Sequence, residues 1–340
     1  MADNQMADEQ RAVPEQELLQ FAHSPKYTLG VEIEFQTLDK ATWDLAPLAP
    51  VLLENAPKIL RPRLSPEFIQ SILEIQTGVC FSLVDVENDL MQTISLAEEL
   101  AVDNNCMLFA ASLHPFALYR DQLLTTNERY ARIMEELQIV GRRFISQGLH
   151  VHVGMPDGDT AIRVCNRMQA YLPVLLSLST SSPYSQGEDT GLMSYRTKLF
   201  EALPLAGIFS HIPSWHEFAE QVRELQKVGV INSVRDLWWD ARPNADYGTL
   251  EIRVCDLPTR FSDVLGITAV IQALVATLAE DKTSCPPLNT YIIQANKWQA
   301  ARHGLRGSYV DPTGLLTAGR ITFKEAVQAL MKFIEPMSVR

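Results

Sequence analysis

The sequence contains 340 residues, of which 46% are hydrophobic and 21% are charged. These values predict a soluble globular protein with ample core, and one domain is the simplest organisation because no repeat or Gly/Ser-rich linker divides the chain. The net charge of −12 disfavours nucleic acids and membrane surfaces as partners, since both are bound through basic fields.

The N-terminal segment is polar and acidic, so we expect residues 1–24 to be poorly ordered and residues 25–340 to form the domain. It has no apolar core typical of a secretory signal. The five cysteines contain no C-x-x-C pair. Free thiols without a signal peptide predict a cytoplasmic protein.

The first predicted strand, Tyr27 to Leu38, carries Glu32 and Glu34 two residues apart. Side chains two apart on a strand point the same way, so their stems lie about 6–7 Å apart. Two carboxylates this close repel unless a cation lies nearby. Oxygen-rich carboxylate sites suit Mg²⁺ or Mn²⁺.

The region from Asp44 to Pro66 is rich in proline and is predicted to be irregular. Ser65-Pro66-Glu67 then predicts a helix start, with serine at the cap and proline in the first turn. The stretch Leu73 to Thr77 alternates like a strand and adds Glu74 in the phase of the first pair. Apolar spacing predicts a helix from Val84 to Asp103 that packs on the outer face of the sheet.

The apolar run from Cys106 to Leu113 has the length of a buried strand, and Asn127 to Arg143 is predicted to be one helix capped by Asn127. The strand Leu149 to Val153 follows, with His150 and His152 on one face. A His-x-His pair suggests zinc, but no completing ligand is near in sequence, so contact with phosphate or substrate stays equally open.

Asp157 to Thr180 is predicted to be one long core helix. The polar loop Ser181 to Gly191 leads to Tyr195 and Arg196, which form a plausible substrate-recognition element. In isolation, a surface turn is the simpler interpretation of this loop. Ser214 caps a further amphipathic helix that extends to Val228.

Residues 238–242 and the strand Leu250 to Val254 are predicted to form a hairpin that presents Glu251 and Arg253 on one face. An arginine beside carboxylates can hold a phosphoryl group, although a plain ion pair explains the same two residues. Helices are predicted at 260–281, 291–303 and 322–333. The apolar segment Val264 to Ala279 is shorter than the roughly 20 residues that span a bilayer, which predicts a buried helix.

Three of these strands share a polar face made only of Glu, His and Arg. A solvated sheet face explains any one of them, but their combination predicts an active-site floor. The sequence lacks the Walker A, G-x-G-x-x-G, G-x-S-x-G and H-E-x-x-H motifs, which argues against P-loop, Rossmann and simple hydrolase folds. The floor would consist of Glu32, Glu34, His150, His152, Glu251 and Arg253, with Glu74 beside them.

The sequence resembles the YbdK-like carboxylate–amine ligases, the second type of glutamate–cysteine ligase, within the glutamine synthetase-like superfamily. The resemblance covers residues 25–310 in the family's order, and the set of motifs is specific although each is short. The matching segments are Gly30 to Phe35, Glu74 to Cys80, His114 to Phe116, Gly148 to Gly154, Thr190-Gly191 with Ser194 to Arg196, Leu250 to Asp256, Asn296 to Trp298, and Ala301 to Gly304.

The resemblance implies an α+β fold in which a curved antiparallel sheet forms a funnel-shaped active site with helices outside. It implies a homodimer and a reaction that uses ATP with Mg²⁺, or possible Mn²⁺, to convert a carboxylate, such as the γ-carboxylate of glutamate, into an acyl phosphate. An amine such as that of cysteine then attacks this intermediate, so the partners are small molecules. The implied metal ligands are Glu32, Glu34, Glu74, His150 and Glu251.

The same resemblance suggests roles for the remaining site residues. Arg253, with Glu251 and Glu34, would act on the transferring phosphoryl group. His152, Tyr195, Arg196 and Thr77 would bind substrate or nucleotide. Two alternatives remain: a catalytically weak or inactive regulator that binds nucleotide or amino acid, and a zinc hydrolase built on the two histidines.

Overall fold

The structure, a computed structural model, describes residues 18–283 and 286–338. The strands are β1 (Leu29–Asp39), β2 (Leu64–Pro66), β3 (Ile72–Gln76), β4 (Cys106–Phe109), β5 (Gly148–Gly154), β6 (Tyr184–Ser185), β7 (Glu188–Asp189), β8 (Ala241–Asn244), β9 (Thr249–Asp256), β10 (Ser308–Val310) and β11 (Arg320–Thr322). The helices are α1 (Ala49–Asn55), α2 (Leu83–Asp103), α3 (Glu128–Leu137), α4 (Ile139–Arg142), α5 (Gly158–Met168), α6 (Leu172–Ser179), α7 (Arg196–Glu201), α8 (Trp215–Lys227), α9 (Phe261–Glu280), α10 (Thr290–His303) and α11 (Phe323–Ser338).

An antiparallel seven-stranded sheet organises the fold. Its strands follow the order β2-β3-β1-β5-β9-β8, and β4 pairs with the C-terminal part of β1. The sheet is open, and the helices that follow its strands pack against it. The predicted α+β class with an antiparallel sheet is confirmed.

The two faces of the central strands differ as their alternation predicts. On β1, Val31 and Ile33 are almost fully buried in the core, and Ile33 pairs with Ile75 of β3 and Leu149 of β5 in register. Because successive side chains on a strand alternate between faces, the intervening Glu and His residues all point to the other side. The apolar face is covered by helices, and the charged face opens into a cavity.

Helix α9 is long and apolar enough to cross a membrane by length and composition, but half of its apolar window is buried inside the protein. It contacts α2, α5, α6 and α11. Ile271 and Leu274 are fully buried. The predicted buried core helix is therefore confirmed.

Several predictions about local structure are wrong. Ser65-Pro66-Glu67 does not begin a helix, because Leu64–Pro66 is the edge strand β2, where a proline without an N–H is tolerated. The preceding region is also less irregular than expected, since it contains α1 and a short 3-10 helix, Arg61–Arg63.

Two predicted helices are each divided in two. Asn127 caps α3 as predicted, but Gln138 takes a positive φ of 49° and separates α3 from α4. The long helix predicted for residues 157–180 is divided between α5 and α6. Pro173 lies in the first turn of α6, and it cannot donate the hydrogen bond that a continuous helix would direct to Gln169.

The structure tests only part of the prediction that residues 1–24 are poorly ordered. Residues 1–17 lie outside the described residues. Residues 18–24, which we expected to be poorly ordered, contact the domain: Trp215 Nε1 donates a hydrogen bond to the Leu19 carbonyl at 3.0 Å, and the ring of Phe21 lies 4.9 Å from that of Trp215. Four cysteines are free and buried, and Cys285 lies outside the described residues.

Candidate active site

A cavity of about 420 Å³ lies over the charged face of the sheet. All seven predicted floor residues line it, and they come from β1, β3, β5 and β9. Strand register brings them together, because Glu32 lies opposite His150, Glu34 opposite Glu74, and His152 opposite Glu251.

The first potential cation site consists of Glu32, His152 and Glu251, each of which offers a ligand atom within 4.8 Å of the others. His152 Nδ1 lies 2.9 Å from Thr249 Oγ1. His152 Nε2 is buried without a hydrogen bond, although it lies 3.3 Å from Glu32 Oε1. An imidazole whose Nδ1 is held by a hydrogen bond can offer its Nε2 to a metal ion.

The second potential site consists of Glu34, Glu67 and Glu74, again with ligand atoms within 4.8 Å of one another. Burial raises the pKa of all three carboxyls, and for Glu74 the neighbouring glutamates raise the pKa further, well above its ordinary value. The backbone N–H of Gly148 donates a hydrogen bond of 2.6 Å to Glu34 Oε2 and fixes that carboxylate. Three carboxylates this close require protons or a cation.

A third group, Glu32, Glu74 and His150, connects the first two. His150 Nδ1 lies 3.3 Å from Glu32 Oε2, and its Nε2 lies 3.9 Å from Glu34 Oε1. Burial opposes ionisation of Glu32, but the two histidines hold the pKa of its carboxyl well below the ordinary value. Potential ligands therefore run continuously across the floor.

Two arginines hold the two carboxylate oxygens of Glu251. Arg242 Nη2 donates to Glu251 Oε2 at 2.9 Å, and Arg253 Nη1 contacts Oε1. Although burial opposes ionisation, these guanidinium groups hold the pKa of Glu251 well below its ordinary value. Burial likewise opposes the charge on Arg253, but Glu251 raises its pKa.

Arg196 begins α7 and reaches the cavity beside Gly148. Its Nη2 donates to the Arg253 carbonyl at 3.3 Å, whereas its buried Nε makes no hydrogen bond. A Cβ on Gly148 would collide with this guanidinium and would lie 3.1 Å from His150 Nε2. A larger residue at position 148 would therefore displace the Arg196 guanidinium from its present position.

Buried hydrogen bonds fix the backbone that carries Arg196. Ser182 Oγ accepts from the Arg196 N–H at 3.1 Å and donates to Asp256 Oδ2 at 2.8 Å. Ser194 Oγ donates to the other oxygen of Asp256 at 2.8 Å. The polar loop before α7 is thus tied to the end of β9.

A second buried ionic group lies behind the floor. Lys297 Nζ contacts Asp240 Oδ2 and lies 3.0 Å from Glu201 Oε1. The carbonyl of Asp240 accepts a hydrogen bond of 2.8 Å from the Arg253 N–H. This ion pair therefore supports the backbone that presents Arg253.

Two predicted binding residues do not line the cavity. Thr77 lies in the phase of the core-facing side chains, and its hydroxyl accepts a hydrogen bond of 3.0 Å from the Val31 N–H. Tyr195 is the residue before α7, and its N–H donates to the Ser182 carbonyl at 3.0 Å. The structure therefore gives both residues contacts within the fold.

Sequence reasoning missed Glu67 and Arg242. Glu67 follows the edge strand β2 in a segment without a period-2 pattern. Arg242 lies opposite Glu251 in the β8–β9 register. Assigning a residue-by-residue register to the predicted hairpin would therefore have found it.

The other half of the cavity is apolar. Phe144, Phe200 and Trp238 line it, and the guanidinium groups of Arg196 and Arg253 lie near the Phe200 ring. Side chains of α3 complete this wall. The cavity thus joins an ionic floor to an aromatic wall.

Comparison with known sequences shows that this chain matches one protein family. The family described as glutamate–cysteine ligase family 2 matches residues 28–333. A candidate glutamate–cysteine ligase 2 from Gloeobacter violaceus is 40% identical over 301 residues, which cover 87% of this chain and 81% of that protein. A candidate of the same name from Solibacter usitatus is 35% identical over 314 residues, which cover 91% and 81%.

Solved structures share the fold at low identity. The glutamate–cysteine ligase of Francisella tularensis, solved in complex with AMP, has a TM-score of 0.65 and 15% identity over 93% of this chain and 79% of that chain. A bifunctional glutathione synthetase from Pasteurella multocida has a TM-score of 0.66 and 15% identity over 92% of this chain and 46% of that chain.

Proposed function

The chain belongs to glutamate–cysteine ligase family 2 and is a carbon–nitrogen ligase of the carboxylate–amine type, and we propose that it works by ATP-dependent acyl phosphate formation. In this proposal the carboxylate is the γ-carboxylate of glutamate, and the acceptor is an amine such as that of cysteine. The observation that carries the proposal is the convergence of carboxylates, histidines and arginines on one cavity floor.

The donor set fits Mg²⁺, with Mn²⁺ as a substitute. Carboxylate oxygens dominate all three groups, and hard divalent cations prefer oxygen ligands. Glu32, His152 and Glu251 would hold one cation, and Glu34, Glu67 and Glu74 a second; His150 would contribute between them. Cations bound there would neutralise charge on the phosphates of ATP.

Two arginines would bind the substrates directly rather than hold a cation. Arg253 is fixed by Glu251 and would hold the transferring γ-phosphoryl group. Arg196, with its unpaired Nε, would bind the free carboxylate of the amino-acid substrate. The AMP bound by the Francisella ligase supports a nucleotide as one occupant of this cavity.

The proposed reaction has two steps. A substrate carboxylate oxygen attacks the γ-phosphorus of ATP, the bond between the β–γ bridging oxygen and that phosphorus breaks, and ADP leaves. The amine nitrogen then attacks the carbonyl carbon of the acyl phosphate. The C–N bond forms, the C–O bond to phosphate breaks, and the amine loses a proton as phosphate leaves. Neither of these two reaction steps requires a nucleophilic side chain of the protein.

A screen of ATP consumption tests this proposal. Purified protein is incubated with ATP, Mg²⁺ or Mn²⁺, glutamate and a panel of amines, and ADP, phosphate and amide are quantified. We expect equal amounts of the three products, formed only when both substrates are present. Nucleotide binding without turnover would favour the regulator, and ATP-independent hydrolysis with stoichiometric zinc would favour the hydrolase; either result contradicts the proposal.

Two further properties remain predictions. The homodimer rests on the family resemblance, and the cytoplasmic location rests on the cysteine pattern of the sequence. Light scattering of the purified protein would test the dimer, since a monomeric mass under assay conditions would contradict it.

A further inference from the structure

Three aromatic rings form a continuous wall at one end of the cavity. The ring centroids of Phe144 and Phe200 are 5.6 Å apart, those of Phe144 and Trp238 are 6.3 Å apart, and those of Phe200 and Trp238 are 6.2 Å apart. All three side chains line the cavity. Phe144 and Trp238 are partly exposed, whereas Phe200 is 5% exposed, so the open apolar surface of this wall belongs mainly to Phe144 and Trp238.

Helix α3 extends this wall. Tyr130, Ile133 and Leu137 lie on one side of the helix and line the cavity, and no residue of α3 is fully buried. The apolar side of this strongly amphipathic helix is therefore only partly covered by the protein. A ligand with an apolar group would complete the burial that the fold leaves unfinished.

The wall lies next to Arg253, which we assign to the transferring phosphoryl group, and Arg196, which we assign to the free carboxylate of the substrate. The guanidinium carbon of Arg253 is 6.0 Å from the centre of the Phe200 ring, and that of Arg196 is 5.4 Å from it. A group bound on the wall is therefore a near neighbour of the reacting carbonyl. The adenine of ATP is separated from the transferring phosphoryl group by two phosphates and a ribose. It must therefore lie farther from Arg253 than a group bound beside the Phe200 ring does.

We propose that the acceptor amine carries an apolar group of aromatic size, which binds on the wall formed by Phe144, Phe200 and Trp238. This inference rests on the proposed ligase function and assigns its second substrate to a chemical class. Glutamate, the proposed carboxylate substrate, is polar at both ends and cannot cover the wall. The side chain of cysteine is too small to cover the exposed surface of Phe144 and Trp238, so an arylalkylamine or an aromatic amino acid fits better.

The class of amine is tested with matched acceptors. Phosphate release is measured with ATP, Mg²⁺ and glutamate, and with either 2-phenylethylamine or ethylamine, which differ only by the phenyl group. Phenylalanine and alanine form a second pair, and cysteine is included. We expect kcat/KM to be about tenfold or more higher for the phenyl member of a pair, as a filled apolar pocket gives.

Variants locate the effect on the wall. Phe144→Ala should raise KM for the phenyl amine about tenfold and leave KM for ATP, glutamate and ethylamine unchanged. Phe144→Leu, which retains most of the packing, should give a smaller effect and guards against a folding defect. Phe81→Ala is the matched control, because Phe81 is 72% exposed outside the cavity.

Each other outcome overturns the inference in a recognisable way. Turnover with cysteine and small amines but no preference for the phenyl members would leave the ligase function standing and refute the aromatic acceptor. A change in KM for ATP or glutamate in Phe144→Ala, without one for the amine, would assign the wall to another substrate. Absence of ATP turnover with every pair would refute the ligase function itself and the inference with it.

Discussion

The exchange Glu34→Gln separates a catalytic carboxylate from a structural one, because the structure predicts opposite effects on activity and on stability. Glutamine retains an oxygen that can accept the hydrogen bond from the Gly148 N–H. It removes one of three carboxylates that lie within 4.8 Å of one another. Activity should be lost while the metal-free protein keeps its fold.

The magnitude follows from the geometry of the cluster. Two unit charges 4.8 Å apart repel by about 3 kcal/mol at an effective dielectric constant of about 20. Burial raises the pKa of Glu34 and Glu74, so it opposes full ionisation of the cluster. The stability gain in the metal-free variant should therefore lie between zero and about 3 kcal/mol per ionised neighbour.

The loss of activity should be large. Removing a carboxylate that supports a bound cation sacrifices several kcal/mol of charge stabilisation in the transition state, so kcat should fall at least about 100-fold. ADP release gives the activity, and thermal unfolding without and with Mg²⁺ gives the stability. Glu98→Gln, an exchange of an exposed carboxylate on α2, is the control. A melting temperature several degrees below that of the wild type would show that Glu34 is structural and refute the reasoning.

Three further exchanges test separate parts of the site. Arg253→Lys should lower kcat about 100-fold, because an ammonium cannot replace the fork of the guanidinium, and turnover within twofold of the wild type would contradict its role. Lys297→Met should lower the free energy of unfolding by about 3–5 kcal/mol, because it leaves Asp240 buried without its counter-charge. Urea unfolding measures this loss, and an unchanged midpoint of the urea transition would show that the pair does not stabilise the protein. Thr77→Val should lower the free energy of unfolding by about 1–3 kcal/mol, because the Val31 N–H loses its acceptor, and it should leave kcat unchanged. A raised KM for ATP would instead show that Thr77 takes part in binding.

Most of the floor could be predicted because strand alternation is a local property of the sequence. Each of the three central strands places apolar residues in the core and Glu, His or Arg on the opposite face, and the sheet needs only antiparallel pairing to bring these faces together. The same alternation shows why Thr77 does not line the cavity. Three positions after Glu74, it falls in the opposite phase, on the core side of the sheet.

Other features depend on the tertiary structure, and their local signal was absent or ambiguous. Glu67 joins the carboxylate cluster from a segment without regular structure, after a strand so short that its proline suggested a helix instead. The break between α3 and α4 at Gln138 has no Gly or Pro to mark it. Pro173 did mark the division between α5 and α6, but the apolar residues on both sides concealed it.

The central claim is that the floor holds divalent cations against a triphosphate, and anomalous scattering from Mn²⁺ tests it most directly. Crystals grown with Mn²⁺ and a non-hydrolysable ATP analogue should show anomalous peaks between Glu32, His152 and Glu251 and between Glu34, Glu67 and Glu74. The terminal phosphate of the analogue should lie beside Arg253. Peaks elsewhere on the chain, or an analogue bound outside this cavity, would contradict the account.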